Sequence, residues 1–410
     1  MADGLSPGEA RLVAAIDARA DELWALLRDL VRAPSLNPPG DTRAAAQVVT
    51  AWLEHQGFRP EVAGSAPERP SVVVRQALGP PGRSGGATGP RLLFLSHLDT
   101  VPLGDAAGWS VDPHGGDMRD GRLWGRGASD AKGSAAPMLL ALSALAAAGL
   151  PLRGTVSVGL VADEETGGAG AQYLLRRRAL PADAVVVGET TENQVAIAEK
   201  GVAWLRLTTR GRTAHASVPH AGVNAATHLV RWLGRIEQNV VVRLPQRRHA
   251  LVTPPSLTLS TLSGGVAPNV VPDRAEAVVD RRTLPGETLD EARAELLAEA
   301  AALQADDATM QAAVDVLVWA DPFETAAEAA IVQAAIAARR ALGLAAAPVG
   351  YQQASDGRFF GAHGVPTIVL GPGVAEGTHV PDESVPLAQV AEAAKLYALT
   401  ACRYLHPPGE

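Results

Sequence analysis

Six side chains have the types and placement for metal-assisted chemistry: His97, Asp130, Glu164, Glu165, Glu189 and His379. Each follows an apolar run or stands where a loop meets a helical stretch. Residues 92–100 read Leu-Leu-Phe-Leu-Ser-His-Leu-Asp-Thr, four apolar residues of a buried strand closed by polar groups. Positions i and i+2 of a strand face the same way, so His97 and Asp99 emerge together. A ligating histidine commonly passes its second ring N–H to a carboxylate, which fixes tautomer and orientation. Alone, this pair fits a structural histidine equally well.

The wider set is more specific. Mixed imidazole and carboxylate ligation suits zinc, with cobalt or manganese as substitutes. Five ligands exceed the three protein groups of a single catalytic zinc and match two metals that share a carboxylate. One member of the Glu164-Glu165 pair then stays unbound as a general base. Two adjacent glutamates at a strand end repel unless cations neutralise one of them.

The elements that must carry these groups alternate between strand, loop and helix. Helical periodicity covers residues 8–32, and Asp41 caps a second helix reaching about Gln56. Strands are expected at 72–74, 92–95, 155–161 and 184–187, with a Pro/Gly/Ser-rich loop at 79–90. The segment 101–127 reads as one long irregular loop, a type that is often functional. Residues 134–150 carry no charge and read as a buried helix, since about 17 residues with Pro137 and Gly149 inside are marginal for a bilayer. The pattern predicts an α/β domain with a mostly parallel sheet flanked by helices, its ligands beyond the carboxyl ends of the strands. Between 196 and 319 the order becomes β-α-β-β-α-β, with one helix at 220–238, a ferredoxin-like domain inserted into the larger one. The expected division is 1–195 and 320–410 for the catalytic domain and 196–319 for a lid or dimerisation domain. Helices at 325–342 and 386–404 close the chain, and there are no internal repeats.

Composition narrows the function. The chain has 410 residues, 47% of them hydrophobic and 20% charged, with a net charge of −8. That balance argues against nucleic acid as the main partner, and short runs such as Arg176-Arg177-Arg178 read as solvated surface. A single cysteine, Cys402, precludes an intrachain disulfide or a cysteine-ligated zinc. With no basic segment leading an apolar core at the start, a cytoplasmic location without membrane association is expected.

The series SHLDTVP, GRGASDAKG, ADEETGG, GETTE, GRTAHAS, APNVVPD, DRRTLPG, SDGRFF and GTHVPDE spans residues 96–383. In content and order it resembles the dinuclear zinc hydrolases, the family of acetylornithine deacetylase, succinyl-diaminopimelate desuccinylase, aminoacylase and the glutamate carboxypeptidase-like enzymes. The resemblance implies two Zn2+ per subunit. His97 and Glu189 would complete one site, Glu165 and His379 the other, and Asp130 would bridge them. It also implies Glu164 as general base, Asp99 as the partner of His97, and a cis peptide between Asp130 and Ala131. His215 would stabilise the oxyanion, in dimeric members from the other subunit. Asn269, Arg282 and Arg358 would bind a substrate carboxylate, to which arginine pairs in bidentate fashion. The family often has glycines before the Ser-Asp of SDGRFF, where this chain has Gln352-Gln353-Ala354. The implied activity is removal of an N-acyl group from an amino-acid-derived substrate in amino-acid biosynthesis, by a homodimer. Cleavage of a dipeptide, or of a short peptide by a carboxypeptidase, is the alternative.

Other classes have less support. Ser129-Asp130-Ala131-Lys132 matches the Ser-x-x-Lys of β-lactamases, but neither Ser-Asp-Asn nor Lys-Thr-Gly occurs. No Walker A sequence is present. A binding module without activity would have no use for an unbound base beside a full ligand set.

Overall fold

The computed structural model describes residues 4–79 and 89–406, so most of the loop expected at 79–90 lies outside the described residues. The chain forms two compact units. One comprises Met1–Ile197, Glu324–Tyr351 and Ser355–Glu410; the other comprises Ala198–Phe323 with Gln352–Ala354.

The larger unit is built on a nine-stranded sheet. Its centre is parallel: Arg91–His97 lies between Gly154–Val161 and Ala184–Val187, and Thr367–Val369 pairs with the latter. Antiparallel strands Pro70–Leu78 and Glu61–Gly64 extend one side. Leu92, Leu93, Phe94 and Leu95 are fully buried, as expected of a strand covered on both faces. Helix Lys132–Ala147 is buried from Lys132 to Leu145, which explains its lack of a polar stripe. Among the described residues no helix is long and apolar enough to cross a membrane. Because the central strands run parallel, their carboxyl ends share one edge; His97 ends its strand there, and the segments leaving that edge carry Glu164, Glu165 and Glu189.

Several elements differ from the sequence reading. The helix expected at 8–32 is two helices, Pro7–Asp17 and Ala20–Val31. No Gly or Pro marks the break; Arg19 sits outside helical geometry and reaches Glu22 at 2.8 Å, Gln56 at 2.9 Å and Ser143 at 3.0 Å. The segment expected to be irregular at 101–127 contains the hairpin Asp117–Arg119 and Arg122–Trp124, which pairs with Ser384–Pro386. The pairing joins residues about 260 positions apart, so no local pattern announces it. Asp41 does bond the start of the next helix, accepting from Arg43 N at 3.1 Å, but the helix runs Arg43–His55 with Thr42 at the capping position.

The smaller unit is a four-stranded antiparallel sheet in the order Ser256–Gly264, Arg274–Thr283, Gly201–Arg210, Gln311–Ala320. Helices Ala225–Asn239 and Leu289–Asp306 give the chain order β-α-β-β-α-β. The first begins five residues later than the pattern predicts, where Asn224 Oδ1 accepts from Thr227 N at 3.0 Å. Trp232 anchors the core with Leu205, Leu207, Leu229 and Leu296, and its Nε1 donates to the Leu296 carbonyl at 2.8 Å. Truncating such a side chain to alanine costs about 3–5 kcal/mol.

Candidate metal centre

Strand Arg91–His97 delivers His97 to the carboxyl edge of the sheet, where its ring is 1% exposed. His97 Nε2 lies 3.1 Å from Asp130 Oδ1 and 3.6 Å from Glu189 Oε1. Glu189 follows strand Ala184–Val187. On the other side, His379 Nε2 is 3.2 Å from both Asp130 Oδ2 and Glu165 Oε2. Asp130 therefore turns one oxygen to each histidine, and each histidine is matched with one glutamate. The Asp130–Ala131 peptide is cis.

Glu164 and Glu165 sit in the single helical turn Glu164–Thr166 that follows strand Gly154–Val161. Gly168 adopts φ +78°, and a Cβ there would lie 2.4 Å from Asp356 Oδ1, so the turn leaves this position to glycine. Glu165 joins His379, whereas Glu164 Oε1 faces the Arg358 guanidinium at 3.7 Å. The adjacent glutamates thus separate, one into the ligand cluster and one beside it.

Asp99 is fully buried next to His97. His97 Nδ1 meets the Asp99 main-chain carbonyl at 2.9 Å, with the carboxylate at 3.7 Å. That carboxylate accepts from Asn37 Nδ2 at 2.9 Å, Glu164 N at 3.1 Å and Glu165 N at 3.3 Å. Asp99 thus steadies the imidazole with its backbone and the glutamate turn with its side chain.

The electrostatics call for cations. Burial, and then the neighbouring Asp130 carboxylate, push Glu189 well above the usual carboxylate range and Glu165 upward. Burial and Asp356 likewise raise Glu164 well above it. Burial opposes ionisation of Asp130 too, but hydrogen bonds from His379 and His97 outweigh it and hold this carboxyl low. Hydrogen bonds to Asp130 and Glu165 raise His379 to about 10. Glu165 Oε1 is buried without a hydrogen-bond partner. Three buried carboxylates, two imidazoles and an orphaned oxygen fit two bound divalent cations. Ligand atoms of His97, Asp130 and Glu165 all lie within 4.8 Å of one another.

The remaining expected site residues are Arg358, His215, Asn269 and Arg282. Arg358 is 8% exposed; it meets the Ser355 carbonyl at 3.1 Å and Asp356 Oδ1 at 3.2 Å, and its guanidinium lies over the Phe359 ring. It also stands 3.7 Å from Glu164 Oε1. His215, Asn269 and Arg282 belong to the smaller unit. Exposed His215 has its Nδ1 2.7 Å from Ser217 Oγ and 3.1 Å from Ser217 N. The Asn269 carbonyl accepts from Ala216 N at 3.0 Å, and Val270 bridges to His215. Arg282 is forked on Asp280 at 2.8 and 3.1 Å. Gln352 accepts through Oε1 from Thr253 N at 2.9 Å.

Four supporting residues went unassigned in the sequence reading. Asn37 joins Asp99, Asp163 and Thr166 at 2.9–3.1 Å from a Pro/Gly loop that carries no signal of this role. Arg126, Asp356 and Glu383 stand inside motifs already quoted, which held their letters but not their tasks.

Histidines and carboxylates gathered around one shared aspartate at the carboxyl edge of a parallel sheet define an α/β protein with a candidate metal site. The profile of the family described as Peptidase family M20/M25/M40 matches residues 93–403, and the chain belongs to this family of metallohydrolases. Succinyl-diaminopimelate desuccinylase from Parvibaculum lavamentivorans is 30% identical over 268 residues, which cover 62% of this chain and 64% of that relative. The match thus spans less than two thirds of the curated relative's length. Among solved structures, the aminopeptidase PepT from Bacillus cereus superposes with a TM-score of 0.73 at 22% identity, covering 94% of this chain and 98% of that one. The YXEP protein of Bacillus subtilis, described as a dinuclear metal-binding peptidase, gives 0.72 at 17% identity, with coverages of 95% and 99%. Both likenesses show the fold.

Proposed function

We propose that this protein is a two-metal hydrolase that removes an N-acyl group from an amino-acid-derived substrate of the acetylornithine or succinyl-diaminopimelate kind. The observation that carries the reading is Asp130, whose two oxygens serve two separate histidine-carboxylate pairs 3.1–3.2 Å away. His97 and Glu189 would hold one ion and Glu165 and His379 the other, with zinc preferred and cobalt or manganese able to substitute. When bound, such ions supply a water acidified to near-neutral pKa and polarise the scissile carbonyl.

The chain's own residues supply the rest. Glu164, outside the ligand cluster, takes the proton of the attacking water and delivers it to the leaving amine. Asp99 holds the turn that aims Glu164 through the main-chain bonds at 164 and 165. His215, whose Nδ1 is engaged by Ser217, donates through Nε2 to the tetrahedral oxyanion. Asn269 and Arg282 bind the carboxylate of the substrate, for which Arg282 would exchange its pairing with Asp280. Arg358 supports the base rather than the substrate.

The small unit, 196–319 in the sequence reading, serves as lid and dimerisation domain. Strand Ser256–Gly264 is a sheet edge with Leu259 and Leu262 about half exposed, and Val230 on helix Ala225–Asn239 is 61% exposed. These groups support a homodimer; a cytoplasmic enzyme of amino-acid biosynthesis is part of the same proposal. A monomer mass at micromolar concentration would remove any role of His215 across subunits. The desuccinylase relative favours deacylation; the family's description as peptidases favours the alternative, a dipeptidase or carboxypeptidase. A hydrolysis panel of acetylornithine, succinyl-diaminopimelate, other acetyl amino acids and dipeptides, with Zn2+ added, separates the two. Glu164→Gln is the control, expected to lower kcat by about 10²–10⁴-fold. Full activity in that variant would move the base elsewhere, and no turnover of any substrate would favour a binding protein.

A further inference from the structure

We infer that Glu383 is a positioning residue for the metal centre: its carboxylate fixes the main chain at Asp130, and with it the split orientation of the two Asp130 oxygens. The inference rests on the two-metal reading and assigns a task to a side chain that the ligand set does not include. Glu383 Oε1 accepts from Ser129 N at 3.0 Å and from Asp130 N at 3.1 Å. Its Oε2 accepts from Arg126 Nη1 at 2.6 Å. Both side chains of this ion pair are 1% exposed. Arg126 is itself held, by the Pro102 carbonyl at 3.2 Å and under the Trp109 ring at 5.2 Å.

A buried pair of this kind is weak evidence of net stability, because desolvation offsets its attraction. What it does provide is geometry. Two consecutive N–H groups converge on one oxygen, so neither peptide at 129–130 can rotate without losing a charge-assisted bond. Asp130 must point Oδ1 at His97 and Oδ2 at His379 simultaneously, which allows its backbone little freedom. Glu383 also stands four residues after His379, and its carbonyl accepts from Gly125 N at 2.9 Å. Ser384 then pairs with Trp124. One residue thus ties the loop carrying His379, whose side chain is 48% exposed, to the segment carrying the buried shared ligand.

The test measures metal binding, not turnover. Metal-free protein is titrated with Co2+ alone by calorimetry, and thermal unfolding of the metal-free forms checks the fold. In E383Q the amide keeps an acceptor oxygen but turns a donor toward Arg126; in R126M/E383Q that clash is gone. R126M/E383M has neither charge nor acceptor. The wild type is expected to bind two Co2+, and R126M/E383Q to stay within about threefold of it. R126M/E383M should bind about 10–100-fold more weakly, the range for partners that orient metal ligands. A role confined to stability would lower the unfolding temperature and leave affinity unchanged in the folded protein. If R126M/E383M binds Co2+ as tightly as R126M/E383Q, the inference is wrong. Should R126M/E383M not fold, the smaller truncation R126M/E383A, which also removes the acceptor, is compared with R126M/E383Q, with equal affinities again overturning the inference. A wild type that binds no Co2+ would instead refute the two-metal reading beneath it.

Discussion

Arg358→Met distinguishes two roles for one arginine. Family resemblance assigns Arg358 to a substrate carboxylate, whereas the structure packs it at 3.2 Å from Asp356 and 3.7 Å from Glu164 with 8% exposure. Two unit charges 3.7 Å apart attract by about 4 kcal/mol at an effective dielectric constant of 20, an upper bound for the net effect. If a third to a half of that holds Glu164 in its working position, its loss lowers kcat by about 10–40-fold, since each 1.4 kcal/mol is tenfold. KM should stay within about threefold, because the substrate loses no contact. Arg358→Lys keeps a charge without the fork and should fall between. The methionine variant also leaves Asp356 and Glu164 buried without their cation, a loss of about 3–5 kcal/mol in stability. Activity should therefore be normalised to folded protein by circular dichroism. Free guanidinium can occupy the gap over Phe359, so low-millimolar guanidinium should restore part of kcat in the methionine variant and none in Glu164→Gln. The measurement is steady-state kinetics on the best substrate of the panel. A KM raised tenfold or more at unchanged kcat would return Arg358 to the substrate and refute this reasoning.

Further outcomes can be checked more simply. Chelation should lower the unfolding temperature at neutral pH, because Glu164, Glu165 and Glu189 are left crowded in a buried site; adding Zn2+ at 100 times its Kd should restore about 2.7 kcal/mol. Calorimetry showing identical unfolding with and without metal would count against bound cations. Burial works against ionised Glu9, but Arg403, at 2.7 Å, outweighs it and holds the carboxyl low. A group depressed on folding adds stability that is present above its unfolded pKa and lost as the pH falls through its folded pKa. Glu9→Gln should therefore unfold at a lower temperature than wild type at pH 7, with the gap closing in acid below pH ~4.3; a gap independent of pH would refute the linkage. Asp99→Asn should put a donor where Glu164 N and Glu165 N donate, lowering kcat and metal affinity together. Loss of kcat alone in that variant would show that the turn holds without the carboxylate.

Sequence alone determined a good deal of this protein. Unbroken apolar runs such as Leu92–Phe94–Leu95 mark strands buried on both faces, and the alternation with helices implies a parallel sheet. Parallel strands end on one edge, so residues just past them, His97, Glu164, Glu165 and Glu189, had to gather there. The smaller unit was legible because its hydrophobic periods are local. The break at Ala18-Arg19 was not, because Arg19 is held by contacts to residues far along the chain. The pairing of Arg122–Trp124 with Ser384–Pro386 was hidden for the same reason. Which glutamate of the pair joins the ligand cluster is likewise absent from spacing: adjacent residues in a turn can point either way. Tertiary contacts settle it, since His379 meets Glu165 and Arg358 meets Glu164. They also send the Asp99 carboxylate to the glutamate turn, set Arg358 beside Glu164, and seat Glu383 against the Asp130 amide. Motif letters fix which chemistry is present, but only packing in three dimensions decides which oxygen faces which nitrogen.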